Sequence, residues 1–368
     1  MNPACAPVVA AAPQTTQPTR PRQRGAALLT AMIIVALIAT VAAGMVWQQW
    51  RAIQVEAAER AQVQAQWILQ GALDWARLIL REDARTDKVD HLGEPWAVPL
   101  AEARLSTFLA ADRDNNSAVE EGLDAFLSGS IQDAQARYNL RNLVVQGKVV
   151  PAERASLQRL CELLGLPAQV GQLIAEGLRQ STLGASGEVQ GDEAGSASNS
   201  NSNSNGGSVQ DQPLPPPGVA QLTWLGLDEA TVQRLTAHVV LLPQPTPINL
   251  NTASREVIAA VLPGVDLGAA ERLVQARQRR ALEKLEDAQA ALGAGTPALE
   301  AQRADVKTAY FEVTGMMRLE QLAVAQRSLL ERRGREVKVL RSERLRVRPD
   351  GSLAAAGAPA ANATALQQ

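Results

Sequence analysis

The sequence predicts an α+β fold in which a long N-terminal helix packs on a small antiparallel sheet, with a large all-helical domain inserted between the strands. Three observations predict it. Ala26 to Arg81 holds no proline and carries apolar residues at helical spacing. Two β-like regions, Phe126–Leu140 and Tyr310–Leu340, stand far apart in the chain. The residues between them are mostly helical in pattern, which is the signature of one domain inserted in another.

The first element opens on Arg22-Gln-Arg24-Gly25, and after Arg24 no charged residue appears until Arg51. Ala26–Trp47 is a run of about 22 residues, against the roughly 20 that a helix needs to cross a bilayer. That exceeds the apolar core of a secretory signal, about 7–15 residues. Arg20, Arg22 and Arg24 precede it without an acid among them, so the positive-inside rule puts the N-terminus in the cytoplasm and the bulk of the chain on the other side. Beyond the run, Trp50, Ile53, Ala57, Ala61, Ile68, Gly71, Trp75 and Leu78 continue at helical spacing, with Glu56, Glu59, Arg60, Asp74, Arg77 and Arg81 elsewhere. One helix results, apolar all round in its first half and amphipathic in its second.

Next comes a loop, His91–Leu100, with Trp96 expected to be buried. Phe126–Leu140 reads as extended strands with a turn between them. Pro151–Arg179 is helical, through Leu157, Leu160, Leu163, Leu164, Val170, Ile174 and Leu178, and a second helical stretch spans Leu222–Arg279. Between them, Ser196–Pro217 is a serine–asparagine run followed by prolines, too polar to order itself. In Tyr310–Leu340, Phe311, Val313, Met317 and Leu319 alternate, and Glu331–Gly334 is a turn leading to Val337 and Val339.

Composition narrows the function. With 368 residues, a formal charge of −2 and 3% aromatics, nothing global attracts a polyanion. Cys5 and Cys161 are too few and too far apart for a disulfide framework or a zinc site. His91 and His238 are the only histidines, and neither a zinc-protease helix nor a phosphate-binding glycine loop is present, so catalysis is unsupported.

Two local motifs compete for a binding role. Ile248–Arg277 resembles a helix-hairpin-helix DNA-binding unit, with Asn251 or Thr252 as a cap of the first helix and Leu262-Pro-Gly264 at the hairpin entrance. Asp266 replaces its second glycine, and a carboxylate there repels a phosphate, so nucleic acid is not an expected partner. Asp112-Arg-Asp114-Asn-Asn116 begins like a calcium loop but lacks the sixth-position glycine, and Leu123 stands where the closing glutamate belongs. No cofactor is assigned; calcium stays a candidate for titration.

The basic residues, Gly25 and the apolar helix are similar to the N-terminus of type IV pilins and of the pseudopilins of type II secretion. The resemblance continues through GEPWA at Gly93–Ala97, RYNLRNL at Arg137–Leu143, PTPINLNTA at Pro245–Ala253 and YFEVTG at Tyr310–Gly315. In that order they resemble the K-type minor pseudopilins of the general secretion pathway. The resemblance implies that prepilin peptidase cuts between Gly25 and Ala26 and methylates Ala26. The superfamily's usual glutamate at the fifth position after the cut is Thr30 here. A buried carboxylate is costly without a cation, and its absence fits a subunit at the tip, with none above to pair with.

The implied architecture is a leader, 1–25; a transmembrane half-helix, 26–47; an amphipathic half-helix, 48–81; and a pilin-like domain, 82–140 and 278–350. The latter is interrupted by a helical insertion, 141–277, with a linker at 181–218, and 351–368 is a disordered tail. The implied function is a single-pass inner-membrane minor pseudopilin, its bulk periplasmic, that caps the pseudopilus and helps initiate assembly and protein export. Its partners would be other minor pseudopilins through the helix and the pilin-like domain, prepilin peptidase, and the secretion pore or exported cargo. The family's calcium binding keeps the Asp112 loop in view. Two alternatives stand beside this: a signal-anchored periplasmic scaffold, and a membrane-tethered DNA receptor acting through the hairpin.

Overall fold

The structure is a computed structural model that describes residues 24–86, 88–104, 125–187, 214–293, 295–319 and 322–348. By internal contacts the chain divides into two units, with the boundary between Arg60 and Ala61. The first helix, α1, runs from Arg24 to Thr86, five residues past the expected end at Arg81. In the first unit every side chain from Ala27 to Arg60 is exposed. This stretch is long and apolar enough to cross a membrane. A helix apolar on all sides is stable only in another apolar medium or among neighbouring helices.

The second unit is built on a five-stranded antiparallel sheet. Its strands are β1 (Leu100–Arg104), β2 (Ala125–Asp133), β9 (Tyr310–Leu319), β10 (Leu322–Arg333) and β11 (Glu336–Leu345), in the order β1-β2-β9-β10-β11. The chain thus leaves the sheet after β2 and returns in the centre at β9, as expected of an insertion. The β10–β11 hairpin turns at Gly334-Arg335, later than the expected Glu331–Gly334 turn, because Glu331, Arg332 and Arg333 pair with Lys338, Val337 and Glu336; Gly334 has φ +57°, where a side chain would be strained.

Residues 61–86 of α1 cover this sheet, with a stripe that shares only Ala61 and Ile68 with the expected one. The packed face is Ala65, Leu69, Leu73, Ala76 and Leu80, against Leu127, Phe311, Val313, Met317 and Leu330. Trp75 and Leu78, from the expected face, are 44% and 54% exposed. The helix carries apolar residues on two faces, and spacing alone does not choose between them. Under Leu69 the sheet carries Gly315, paired with Gly129 across β2 and β9, and a Cβ on Gly315 would lie 3.2 Å from Leu69 Cδ2.

The insertion is helical with short strand pairings, one antiparallel and two parallel. Two-residue strands β3 (Tyr138–Asn139), β4 (Val144–Val145) and β5 (Lys148–Val149) lead to α2 (Pro151–Leu163) and α3 (Gln169–Gly187). Then follow α4 (Glu229–Thr236), β6 (Val239–Val240), β7 (Ile248–Asn249), α5 (Arg255–Val261), α6 (Leu267–Arg279), α7 (Leu285–Leu292) and β8 (Ala304–Asp305). The stretch read as helical from Leu222 to Arg279 is therefore broken, because Pro243, Pro245 and Pro247 cannot donate to a helix ladder. β4 pairs β5 antiparallel, whereas β3 pairs β6 and β7 pairs β8 in parallel. Leu282, Ala288, Leu292, Ala304 and Val306 belong to the insertion's core, so that core continues past the expected boundary at Arg277. The expected linker begins inside α3, which extends to Gly187.

Candidate functional site, a buried joint below the long helix

Gly25 and Ala26 lie in the first turns of α1, and Thr30 is exposed one turn further on. From Ala26 to Gln49 the helix holds no acid or base. The calcium-like Asp112–Asn116 loop falls outside the described residues.

The four quoted motifs, distant in sequence, meet where the sheet joins the insertion. PTPINLNTA supplies Asn249, fully buried, which donates from Nδ2 to Asp133 Oδ2 at 2.8 Å and to the Asp90 carbonyl at 3.0 Å. Thr252 Oγ1 donates to the same Asp133 oxygen at 2.5 Å, and the Gln135 N–H donates to Oδ1 at 2.7 Å. Burial pushes the Asp133 carboxyl above its ordinary range, against these donors, which pull it down. Asn251 holds the chain after α6, donating to the Leu282 carbonyl at 3.0 Å and accepting from its N–H at 2.9 Å.

RYNLRNL ties the same loop from the other side. Asn139 Nδ2 donates to the Gln244 carbonyl at 2.7 Å and to Thr246 Oγ1 at 3.0 Å, while its Oδ1 accepts from the Leu242 N–H. Arg137 pairs with Glu312 of YFEVTG at 2.6 Å, both largely buried. These bonds satisfy the peptide groups of the proline-rich loop that lack strand or helix partners.

GEPWA closes the joint at the end of α1. Trp96, 1% exposed, packs edge-on to Phe311 of YFEVTG with centroids 5.2 Å apart. Arg332 of β10 lies over the Phe311 ring at 4.7 Å and bridges Asp83 of α1, at 2.6 Å, and Asp90. Asp90 also accepts from the Thr308 N–H at 2.8 Å. Glu94 accepts from the Trp96 indole and the His91 N–H on Oε2, whereas its Oε1 has no hydrogen-bond partner among the described residues. Carboxylate oxygens of Asp83, Asp90 and Glu94 lie within 4.8 Å of one another, a spacing that suits a metal ion. The Arg332 guanidinium already supplies the positive charge to two of them. Asp83, Asp90, Asp133 and Arg332 carried no sequence signal, since pairs such as Arg332 and Asp83 lie 249 residues apart.

The hairpin is geometrically intact and electrostatically closed. Gly264 has φ +74°, as such a turn requires. Ser254, rather than Asn251 or Thr252, caps α5, accepting from the Val257 N–H at 3.4 Å; the other two are engaged in the joint. The Asp266 carboxylate caps α6 by accepting from the Ala269 N–H at 2.7 Å, so an acid sits where a phosphate would bind. His238 is half-buried, and burial lowers its pKa. Cys161 is buried in the helical core, which pushes its thiol up to about 11.

Known proteins resemble this chain along most of its length. Profiles of the type II secretion system protein K family match residues 136–244 and 248–308. A type II secretion system protein K from Pseudomonas aeruginosa is 31% identical over 271 residues, 72% of this chain and 75% of that protein. One from Klebsiella pneumoniae is 29% identical over 344 residues, 85% of this chain and 94% of that protein. Among solved structures, the GspK-GspI-GspJ complex from enterotoxigenic Escherichia coli contains a chain that aligns with TM-score 0.56 and 19% identity. The alignment covers 78% of this chain and 98% of that one.

Proposed function

This chain belongs to the type II secretion system protein K family, and from that premise we propose that it caps the tip of a secretion pseudopilus as a minor pseudopilin and helps to start its assembly. The observation that carries this reading is Thr30, set in an apolar helix with no acid between Ala26 and Gln49. A filament subunit with a carboxylate at this depth needs a cation from a neighbour. Thr30 brings no such charge, so the helix can sit at the end of a stack and leave nothing ionised uncompensated in the apolar layer.

The chain is held in the inner membrane by this helix, with the residues after it on the periplasmic side, in keeping with Arg20, Arg22 and Arg24 ahead of the apolar run. Prepilin peptidase cuts after Gly25 and methylates Ala26. The helix packs among partner helices, and the insertion stops further subunits from adding and meets the secretion pore or exported cargo. The partners are this system's counterparts of GspI and GspJ, the proteins named with the E. coli relative. The joint keeps sheet and insertion as one body, which a mechanical cap requires. No catalytic step and no contact with DNA are proposed, in line with Asp266 at the N-terminus of α6.

Mass spectrometry of the chain isolated from cells tests the processing. An N-methylated Ala26 at the N-terminus is expected, whereas a chain beginning at Met1, or downstream of Trp47, overturns the reading. Co-purification with the two partner pseudopilins tests the assembly. Failure of correctly folded partners to bind would remove the tip role.

A further inference from the structure

β11 is one edge of the sheet, and its charge is unlike that of the rest of the chain. Residues 334–348 hold six basic residues against two acids, Glu336 and Glu343, in a chain of formal charge −2. Three of the cations fall at alternate positions, in Arg344-Leu-Arg346-Val-Arg348, and all three are exposed. Register fixes their side of the sheet. Arg344 pairs with Gln326, and Gln326 pairs with Gly315, which faces Leu69 of α1. Successive side chains alternate between faces. Arg344, Arg346 and Arg348 therefore line the α1 side, with the partly buried Leu345 and Val347 on the other.

The first half of this edge is already occupied. Arg77 of α1 donates from Nε and Nη2 to the Val337 carbonyl at 3.1 and 3.0 Å, and Arg341 Nη1 donates to the Pro217 carbonyl. Beyond them, among the described residues, 342–348 make no backbone hydrogen bond on the side away from β10. An edge strand turns every second N–H and C=O outward, and such a row is a template for another strand. Like charges directly opposite one another are unfavourable, so the arginine row bars a second β11. It favours the opposite charge. An added strand then sets an acid beside each arginine, and its alternate residues, beside Leu345 and Val347, are apolar.

We infer that residues 342–348 take up an extended segment of a partner protein in which acidic and apolar residues alternate, added to the five-stranded sheet beside β11. Arg344, Arg346 and Arg348 select the acids, and the outward peptide groups hold the backbone. The surface lies apart from the buried joint, and the inference does not depend on the tip role.

Fluorescence anisotropy with a labelled peptide of alternating glutamate and valine, added to the full chain in nonionic detergent micelles, tests this. The peptide is expected to bind, and to bind about tenfold more weakly to Arg344→Glu/Arg348→Glu, which turns two favourable pairs into like-charged ones. N-methylation of alternate peptide nitrogens keeps every charge and removes donors from one edge of the strand. Of its two frames, one is expected to weaken binding about tenfold and the other to leave it intact. A peptide that does not bind, equal binding in both frames, or no loss in the charge-reversed variant each overturns the inference. Phosphatidylglycerol doped into the micelles is expected to leave the peptide bound. Displacement would assign the arginines to a lipid surface, and a chain dimer dissolved by the peptide would assign the edge to a second copy; either result overturns the inference too. If the charge-reversed variant does not fold, the two methylated frames decide on the wild type.

Discussion

Asn249 and Asp133 are 2.8 Å apart through Nδ2 and Oδ2, and that contact joins the last residue of β7 to the last residue of β2. Asn249 uses its second amide hydrogen on the Asp90 carbonyl, and its own oxygen accepts from the Asn251 N–H at 3.0 Å. One side chain thus serves the sheet, the segment after α1 and the insertion. Replacing it with alanine strands buried polar groups in all three. We expect Asn249→Ala to lower the stability of the soluble unit by about 2–4 kcal/mol, read as a shift of the urea midpoint. A change no larger than that of an exposed substitution such as Gln233→Ala would contradict this account of the joint.

Arg332 makes a sharper, pH-dependent case. Asp83 and Asp90 are both buried, and the guanidinium is their common cation. Arg332→Met keeps much of the volume over Phe311 and removes the charge. The expected cost is about 3–5 kcal/mol at neutral pH, because Asp83 and Asp90 both lose the guanidinium bonded to them. The folded state of the variant then binds protons more tightly than its unfolded state. Its stability relative to wild type should therefore recover as the pH falls toward 4. A deficit that is equal at pH 4.5 and pH 7.5 in thermal melts would show that packing on Phe311, not charge, is what Arg332 supplies.

Cys161 gives a chemical readout of the helical core. Its thiol is buried, and burial holds its pKa near 11, so almost no thiolate is present at pH 8. Iodoacetamide should leave Cys161 unlabelled in the folded chain and label it fully in urea, as mapped by peptide mass. Rapid labelling without denaturant would mean that α2 does not bury Cys161 in the helical core.

Much of this organisation was legible in the residues, but unevenly. The long helix showed itself because no proline interrupts Ala26 to Arg81, and the return of the sheet at Tyr310 followed from the rough alternation of Phe311, Val313, Met317 and Leu319. The face of α1 that packs was not legible. Ile68, Gly71, Trp75 and Leu78 share the helix with Leu69, Leu73, Ala76 and Leu80, and spacing alone does not choose between the two stripes. The break in the Leu222–Arg279 stretch was written in Pro243, Pro245 and Pro247, whose effect outweighs the helical spacing on either side. The joint was visible only as four motifs in order. Asp83, Asp133 and Arg332 gave no local pattern, because a buried charge is defined by a partner elsewhere in the chain.

The Gly129–Gly315 pair under α1 yields the last prediction. The two glycines face each other across β2 and β9, and the neighbouring pairs Ser128–Met316 and Ser130–Thr314 carry side chains normally. A Cβ on Gly129 would stand 2.9 Å from the Thr314 carbonyl oxygen, which belongs to the ladder and cannot move without disturbing it. A Cβ on Gly315 would instead stand 3.2 Å from Leu69 Cδ2, the free end of a side chain that can rotate away. Overpacking against backbone should cost more than overpacking against a side-chain tip, and the usual range is about 1–3 kcal/mol. We therefore expect Gly129→Ala to lower the melting temperature more than Gly315→Ala, with both below wild type. The reverse order would mean that helix seating, rather than strand spacing, is the tighter constraint at this crossing.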